Sequence, residues 1–244
     1  MAIPPDPSSL YPDVAHQGSL GAALRFAAGG VLFAIPIASS ESEPLTHAAV
    51  SCAVPHRLPL QIDGWRHERC WSIRGADAFD NMALIEGRTA DLAAVAAVAR
   101  AWHDGETLRE ISDAAPFVHL TGRFDLRDPD PARRMESEWQ HLRLEATELS
   151  SSWSPAYRSL VEAAFAEPAL RDLYPFTSHW VLRFSATTRP QLTPTGPCLT
   201  ANSDGTYGVG KSIVAQDLGL CATAREAVAL AVRNLPGVAD PKTR

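Results

Sequence analysis

Residues 178–185 read SHWVLRFS and are followed by ATTRP at 186–190. Apolar Trp180, Leu182 and Phe184 alternate with His179, Val181 and Arg183, the period-2 signature of a strand with two unlike faces. This stretch decides the fold class, because it returns the chain to β-structure after a long helical middle. Strands, then helices, then strands again and a last helix make an α+β pattern; a βαβ chain would alternate throughout.

Working back from that strand, four helices are expected. Residues 154–166 stop before Pro168. Asp130-Pro131 opens a longer helix, in which Met135, Trp139, Leu142, Ala146 and Leu149 recur at spacings of three and four. Thr89 is the expected cap of TADLAAVAAVARAWHDG, and Thr107 with Glu110 forms a capping box for a shorter helix ended by Pro116. Short strands are expected at 31–38, 48–54, 58–62, 70–74 and 82–86, antiparallel because turn residues separate them. Ser19 caps a short helix from Leu20 to about Ala28, and the first eighteen residues read as a Pro-rich arm. Beyond residue 185, strands at 197–201 and 205–209 flank the turn Asn202-Ser203-Asp204. Thr223 and Glu226 box the start of the last helix, AREAVALAVRNL. The expected organisation is an arm (1–18), an N-terminal α+β part (19–125), and a helical segment with a C-terminal hairpin and helix (126–244).

Composition narrows the classes. The 244 residues are 45% hydrophobic with six Trp, enough for a sizeable core, and the net charge is −6. An acidic chain without a dense Lys/Arg window argues against nucleic-acid binding. The most apolar stretch, 30–38, is about 9 residues against the ~20 that span a bilayer. Cys52, Cys70, Cys198 and Cys221 form no CxxC pair. Together with a first segment that lacks the pattern of a secretory signal, this points to a cytoplasmic protein.

Two motifs invite a function and fail on context. Residues 205–212, GTYGVGKS, fit the phosphate-loop pattern, but that loop needs a parallel strand before it and a helix directly after. Here a turn precedes it and IVAQDLGL follows, so a Gly-rich hairpin is expected. Cys52, His56, His67 and Cys70 give C-x3-H-x10-H-x2-C, chemically able to bind zinc, but at the spacing of no familiar zinc module. Neither a metal nor another cofactor is expected.

The better candidates lie on the strand that opened the reading. His179 and Arg183 fall opposite Trp180, Leu182 and Phe184, with Thr187, Thr188 and Arg189 following. An imidazole can take a proton, while a guanidinium steadies an anion. His179, Arg183 and Arg189 are thus the candidate catalytic residues, and Thr187 and Thr188 the candidate substrate contacts. Asp63, Trp65 and Arg66 make a second cluster of substrate-binding candidates.

PFTSHWVLRFS with its TTRP turn, PCLT, DGTY and TAREAVALAV resemble an actinobacterial family of unknown function, generically labelled natural-product biosynthesis proteins. LYPDV, DLAAVAAVARAWHDGETLREI and EAAFAEPALRDLYPFTSHW extend the resemblance over most of the chain; residues 31–66 are less familiar. The resemblance implies a place in secondary metabolism and supplies no catalytic residues. It points to ring-forming steps, including closure of small nitrogen heterocycles. Such a closure needs a base, a cationic site for the leaving anion and an enclosing pocket, without a cofactor. Two readings stand at this point. One is a biosynthetic enzyme acting on a small molecule, free or tethered to a carrier protein. The other is a non-catalytic interaction, immunity or resistance protein, with Trp65, Trp71 and Trp153 as interface anchors.

Overall fold

The computed structural model describes residues 5–29 and 35–236. Contacts divide the chain into two compact units, residues 1–121 with 125–128 and residues 122–124 with 129–244. Each is an antiparallel sheet with helices on one face, the α+β class expected from the sequence.

The first unit opens with three short helices, α1 (Pro7–Leu10), α2 (Pro12–Gln17) and α3 (Leu20–Ala27). The Pro-rich arm is therefore a correction. Pro7 and Pro12 occupy first helical positions, where the missing N–H is no loss. Tyr11, between them, and Val14, within α2, are fully buried. The Tyr11 hydroxyl lies 2.8 Å from the Trp65 carbonyl oxygen and 3.0 Å from that of Cys70, and so fastens these helices to a distant loop. Ser19 caps α3 by accepting from the Ala22 N–H.

Six strands follow in chain order across one sheet: β1 (Ile37–Ser39), β2 (His47–Val50), β3 (Leu60–Gly64), β4 (Trp71–Ala76), β5 (Ala83–Thr89) and β6 (Val118–Leu120). Of the strand expected at 31–38, residues 31–34 lie outside the described residues. β6 is an addition to the expected set. At three residues it is too short for its alternation to stand out.

Between β5 and β6 come α4 (Leu92–Asp104) and α5 (Leu108–Ala114). The cap of α4 is Asp91, which accepts from the Ala93 and Ala94 N–H groups; Thr89, the expected cap, closes β5 instead. A carboxylate beside the N-terminus also complements the helix dipole. The box of Thr107 and Glu110 forms as expected. Leu92, Val95, Ala99 and Trp102 of α4 join Val50, Leu60, Ile62, Trp71 and Ile73 in one core. The Trp102 ring lies so close to β4 that a Cβ on Gly75 would stand 2.6 Å from it, which requires glycine there.

The chain changes units three times between residues 121 and 129. Asp125 is held by Arg57 at 2.5 Å and by His56 at 3.2 Å within the first unit. Arg123 is held by Glu138 at 2.7 Å within the second.

The second unit contains α6 (Pro131–Glu148), α7 (Ser154–Ala166) and α8 (Pro168–Arg171). Then come β7 (Tyr174–Ser178), β8 (Val181–Ser185), β9 (Pro194–Ala201), β10 (Tyr207–Gly210), β11 (Gly219–Cys221) and α9 (Ala224–Arg233). Asp130 caps α6, and the Thr223–Glu226 box opens α9. The sheet is again a meander in chain order. Trp139, Leu142 and Ala146 of α6 pack with Leu160 and Val161 of α7, Val228 of α9, and Leu182, Phe184, Leu199 and Val209 of the sheet.

The phosphate-loop look-alike is β10 with its following turn. β10 lies antiparallel between β9 and β11, and β11, not a helix, is the next element after Ser212. A Cβ on Gly210 would stand 1.6 Å from the Ala215 carbonyl oxygen, so the glycine serves a backbone crossing. The Gly-rich hairpin expected from context is the structure found.

Among the described residues no group of three His, Cys, Asp or Glu side chains is placed to hold a metal. Cys52 donates to the Trp102 carbonyl oxygen, and His56 faces Asp125. His67 is exposed and Cys70 half-buried. All four cysteines are free. No helix among the described residues is long and apolar enough to cross a membrane. Trp71, a candidate interface anchor, is fully buried in the first core and is corrected to a packing residue.

Candidate functional site

Residues 178–185 are not one strand. Ser178 pairs with Val181, so His179 and Trp180 form a two-residue turn between β7 and β8. Both have positive φ, 53° and 64°, the arrangement of a type I′ hairpin turn. Neither is glycine, so the turn carries backbone strain that its surroundings must offset. Part of that support is aromatic: the Trp180 ring lies 5.3 Å from Trp153 and 5.8 Å from Tyr157.

The turn also separates the expected trio. Residues opposite each other in a pair share a face, so Arg183 lies with Phe176, its guanidinium 4.9 Å from that ring. His179 is exposed at one end of β8, and Arg189 follows the other end. A strand of five residues lies between them, roughly 16 Å at about 3.3 Å per residue. His179 and Arg183 therefore do not share a strand face with Arg189 at its end.

Thr187, Thr188 and Arg189 do come together. They belong to the loop between β8 and β9, which the fully buried Ser185 organises. Its hydroxyl donates to the Thr187 carbonyl at 2.6 Å and accepts from the Thr193 N–H at 2.9 Å. The Thr187 hydroxyl in turn donates to the Gln191 carbonyl at 2.5 Å. Opposite stands the first turn of α6, where Arg134 donates to the Arg189 carbonyl at 2.5 Å. Loop and helix enclose a pocket of about 680 Å³, lined by Arg134, Met135, Asp172, Tyr174, Thr187, Thr188 and Arg189 among others.

The electrostatics of this pocket favour an anion. Two guanidiniums and the positive end of an 18-residue helix face one carboxylate, Asp172. The Arg189 Nε is buried and has no hydrogen-bond partner. A desolvated donor on a cation, left unpaired, is costly.

Sequence reasoning missed Arg134, Asp172 and Tyr174. Arg134 had a readable signal. The first turn of α6 holds no acidic residue, and Arg133 and Arg134 follow Pro131-Ala132 directly. Cations there oppose the helix dipole and need compensation. Arg133 stacks on Phe124 at 5.8 Å, whereas Arg134 turns to the pocket. Asp172 and Tyr174 carried no such signal, because only the fold brings them to this wall.

The second candidate cluster belongs to the first unit. Asp63 on β3 pairs with His47 on the neighbouring strand. The half-buried Trp65 is covered on one face by Arg88, 4.7 Å from the ring centroid. Arg66 reaches Glu43 at 2.6 Å. Asp63 is thus engaged separately from Trp65 and Arg66, which share a wall of another pocket.

Residues 133–244 match a family model described as a family of unknown function (DUF6193). The match begins inside α6 and includes every lining residue of the 680 Å³ pocket except Pro131 and Ala132. No curated protein and no solved structure matches the chain.

Proposed function

We propose that the C-terminal unit binds a small anionic molecule in the pocket between the first turn of α6 and residues 186–191, as the substrate of a secondary-metabolic enzyme. The observation that carries this reading is the pair of arginines, Arg134 and Arg189, that line the pocket at the N-terminal end of α6. The resemblance to proteins labelled for natural-product biosynthesis supports the metabolic setting. The four free cysteines suit the cytoplasm. An internal displacement that closes a small nitrogen ring fits such a pocket. The leaving anion stays on Arg134 and Arg189, and the base that removes the amine proton is Asp172, the carboxylate in the lining. His179, the earlier candidate base, stands at the other end of β8 and has no part in this site.

The test has two arms. Calorimetry with phosphate, short dicarboxylates and phosphate monoesters should find a binder that Arg134→Ala and Arg189→Ala each weaken by about tenfold or more, one lost charge-assisted contact each. His179→Ala should bind as wild type does. Deletion of the gene, followed by mass spectrometry of extracts, should show loss of one metabolite and build-up of its precursor. Asp172→Asn should fail to restore the metabolite while keeping ligand affinity. An unchanged metabolite profile would overturn the enzyme.

One observation favours the partner reading, an interaction, immunity or resistance protein. Trp180, at the strained turn, is 42% exposed and packed at a tilt beside Trp153. An exposed tryptophan held in place by its neighbours suits a protein contact, for instance with a carrier protein. Loss of a co-purifying protein on Trp180→Ala, with metabolites unchanged, would establish it.

A further inference from the structure

The first unit holds a second pocket, of about 500 Å³. The buried Tyr11 and a two-point ion pair between Arg69 and Asp13, at 2.7 and 2.8 Å, fix α1 and α2 beside the 65–70 loop. The loop between β1 and β2 closes the other side. It is fixed by the Ser40 hydroxyl, which accepts from the Glu43 N–H, and by the Pro44 carbonyl, which accepts from the Leu20 N–H. Leu10, Pro44, Leu45 and Trp65 give the pocket apolar walls. Of its three charged lining residues, Asp6 is engaged as the cap of α1, accepting from the Ser8 N–H at 3.0 Å, while Glu43 and Arg66 form an ion pair of 2.6 Å with side chains 49% and 69% exposed.

That pair is the informative feature. An exposed ion pair contributes only about 0–1 kcal/mol to stability, so opening it costs little. A ligand with one charge would pair with one of the two groups and leave the other without its partner. A ligand carrying an ammonium and a carboxylate on one carbon replaces the single pair by two, and the charges of Glu43 and Arg66 both stay matched. Its body must be apolar to cover Leu10, Leu45 and the Trp65 ring. Arg88 fixes that ring from one side, so little side-chain freedom is lost on binding.

We propose that this pocket binds a zwitterionic α-amino acid with an apolar side chain, its carboxylate on Arg66 and its ammonium on Glu43. The site lies in the first unit, separate from the anion pocket of the second.

The experiment is calorimetry on the full chain with L-leucine, N-acetyl-L-leucine and L-leucinamide. L-Leucine should bind saturably. The two derivatives, each lacking one charge, should bind at least about tenfold more weakly. Arg66→Gln and Glu43→Gln should each weaken L-leucine by a similar factor with an unchanged melting temperature, since both side chains are exposed. Arg189→Ala should leave L-leucine binding as it is, which separates this site from the anion pocket. Absence of binding by L-leucine, L-methionine and L-phenylalanine at millimolar concentration would overturn the proposal. So would equal affinities for the three leucine compounds, or indifference to both Gln variants.

Discussion

Both units cover one face of an antiparallel meander with helices, yet they treat buried polar groups differently. In the first, the deepest ones are mostly matched. Tyr11 reaches carbonyl oxygens, the Trp102 indole donates to the Leu58 carbonyl at 3.0 Å, and Arg57 is paired with Asp125. In the second, Glu145 Oε2, Ser154 Oγ, Tyr157 Oη and Arg189 Nε are buried without a protein partner. The first unit's counterparts among the described residues are Arg57 Nη1 and Trp71 Nε1. A buried polar group left unpaired costs about 1–3 kcal/mol. Among the described residues the unit that carries the family match thus bears four such atoms against two in the first.

The largest effect should come from breaking the pairing of the first unit. Arg57 has a side chain only 2% exposed, and Asp125 is its counter-ion. Asp125→Ala leaves a buried charge unmatched and should cost about 3–5 kcal/mol in urea unfolding. Glu138→Ala, which takes away the carboxylate that Arg123 grips in the second unit, should cost a similar amount, because that pair is equally enclosed, at 10% and 6% exposure. A loss below about 1 kcal/mol for Asp125→Ala would break the comparison, since the first unit would then not depend on its matched groups.

Two tyrosines sharpen it. Tyr11→Phe removes a hydroxyl that serves several carbonyl oxygens and should destabilise by about 1–3 kcal/mol. Tyr157→Phe removes one with no partner and should be neutral or slightly stabilising. Burial already pushes the Tyr157 phenol far up, and the charge of Glu145 adds to this. Equal losses at both positions would mean that Tyr157 has a partner after all.

Acid titration separates the units by the sign of a slope. In the first, a hydrogen bond from Arg69 holds the Asp13 carboxyl below its ordinary 3.8. Its stabilisation is present above that value and lost as pH falls through the lowered folded pKa. In the second, burial raises the Glu145 carboxyl above its ordinary 4.5, against the pull of Arg123. Ionisation then costs stability, increasingly as pH rises from about 4.5. Relative to wild type, Glu145→Gln should gain stability as pH rises from acid towards neutrality. Asp13→Asn should be less stable near neutrality and approach wild type in acid. Chemical denaturation across that range checks both, and slopes of the same sign would refute the assignment.

The fold was legible where one signal governs one element. Caps at Ser19, Thr107, Asp130 and Thr223 set helix starts to within a residue of those observed. Illegible were features in which local pattern and tertiary contact disagree. The alternation through residues 178–185 looks continuous, but the pairing of Ser178 with Val181 inserts a turn and puts Phe176 on the face of Arg183. Pro7 and Pro12, on either side of Tyr11, read as part of an arm, yet they start helices, and Tyr11 finds its partners more than fifty residues away. Of the site, Thr187, Thr188 and Arg189 were adjacent in sequence and so could be found together. Asp172 and Tyr174 reach the same wall only because β7 pairs with β8.

The smallest effect is expected at the loudest motif, and it tests whether the anion binding proposed for the second unit extends beyond the pocket at α6. Lys211 is exposed, and its backbone N–H donates to Asp217 at 2.9 Å, a contact that does not involve the side chain. A phosphate-loop lysine works because the preceding glycines leave backbone N–H groups free to meet phosphate oxygens. Here those N–H groups belong to a strand in the middle of a sheet. The space beside Gly208 and Gly210 is filled by Gln216 and by the Ala215 carbonyl. Lys211→Ala should therefore change stability by less than about 0.5 kcal/mol, as a surface substitution does. Titration with a fluorescent ATP analogue should give the same flat response for wild type and variant. Saturable binding by wild type that the variant loses would mean that the loop over β10 opens in solution, and the second unit would then hold two anion sites.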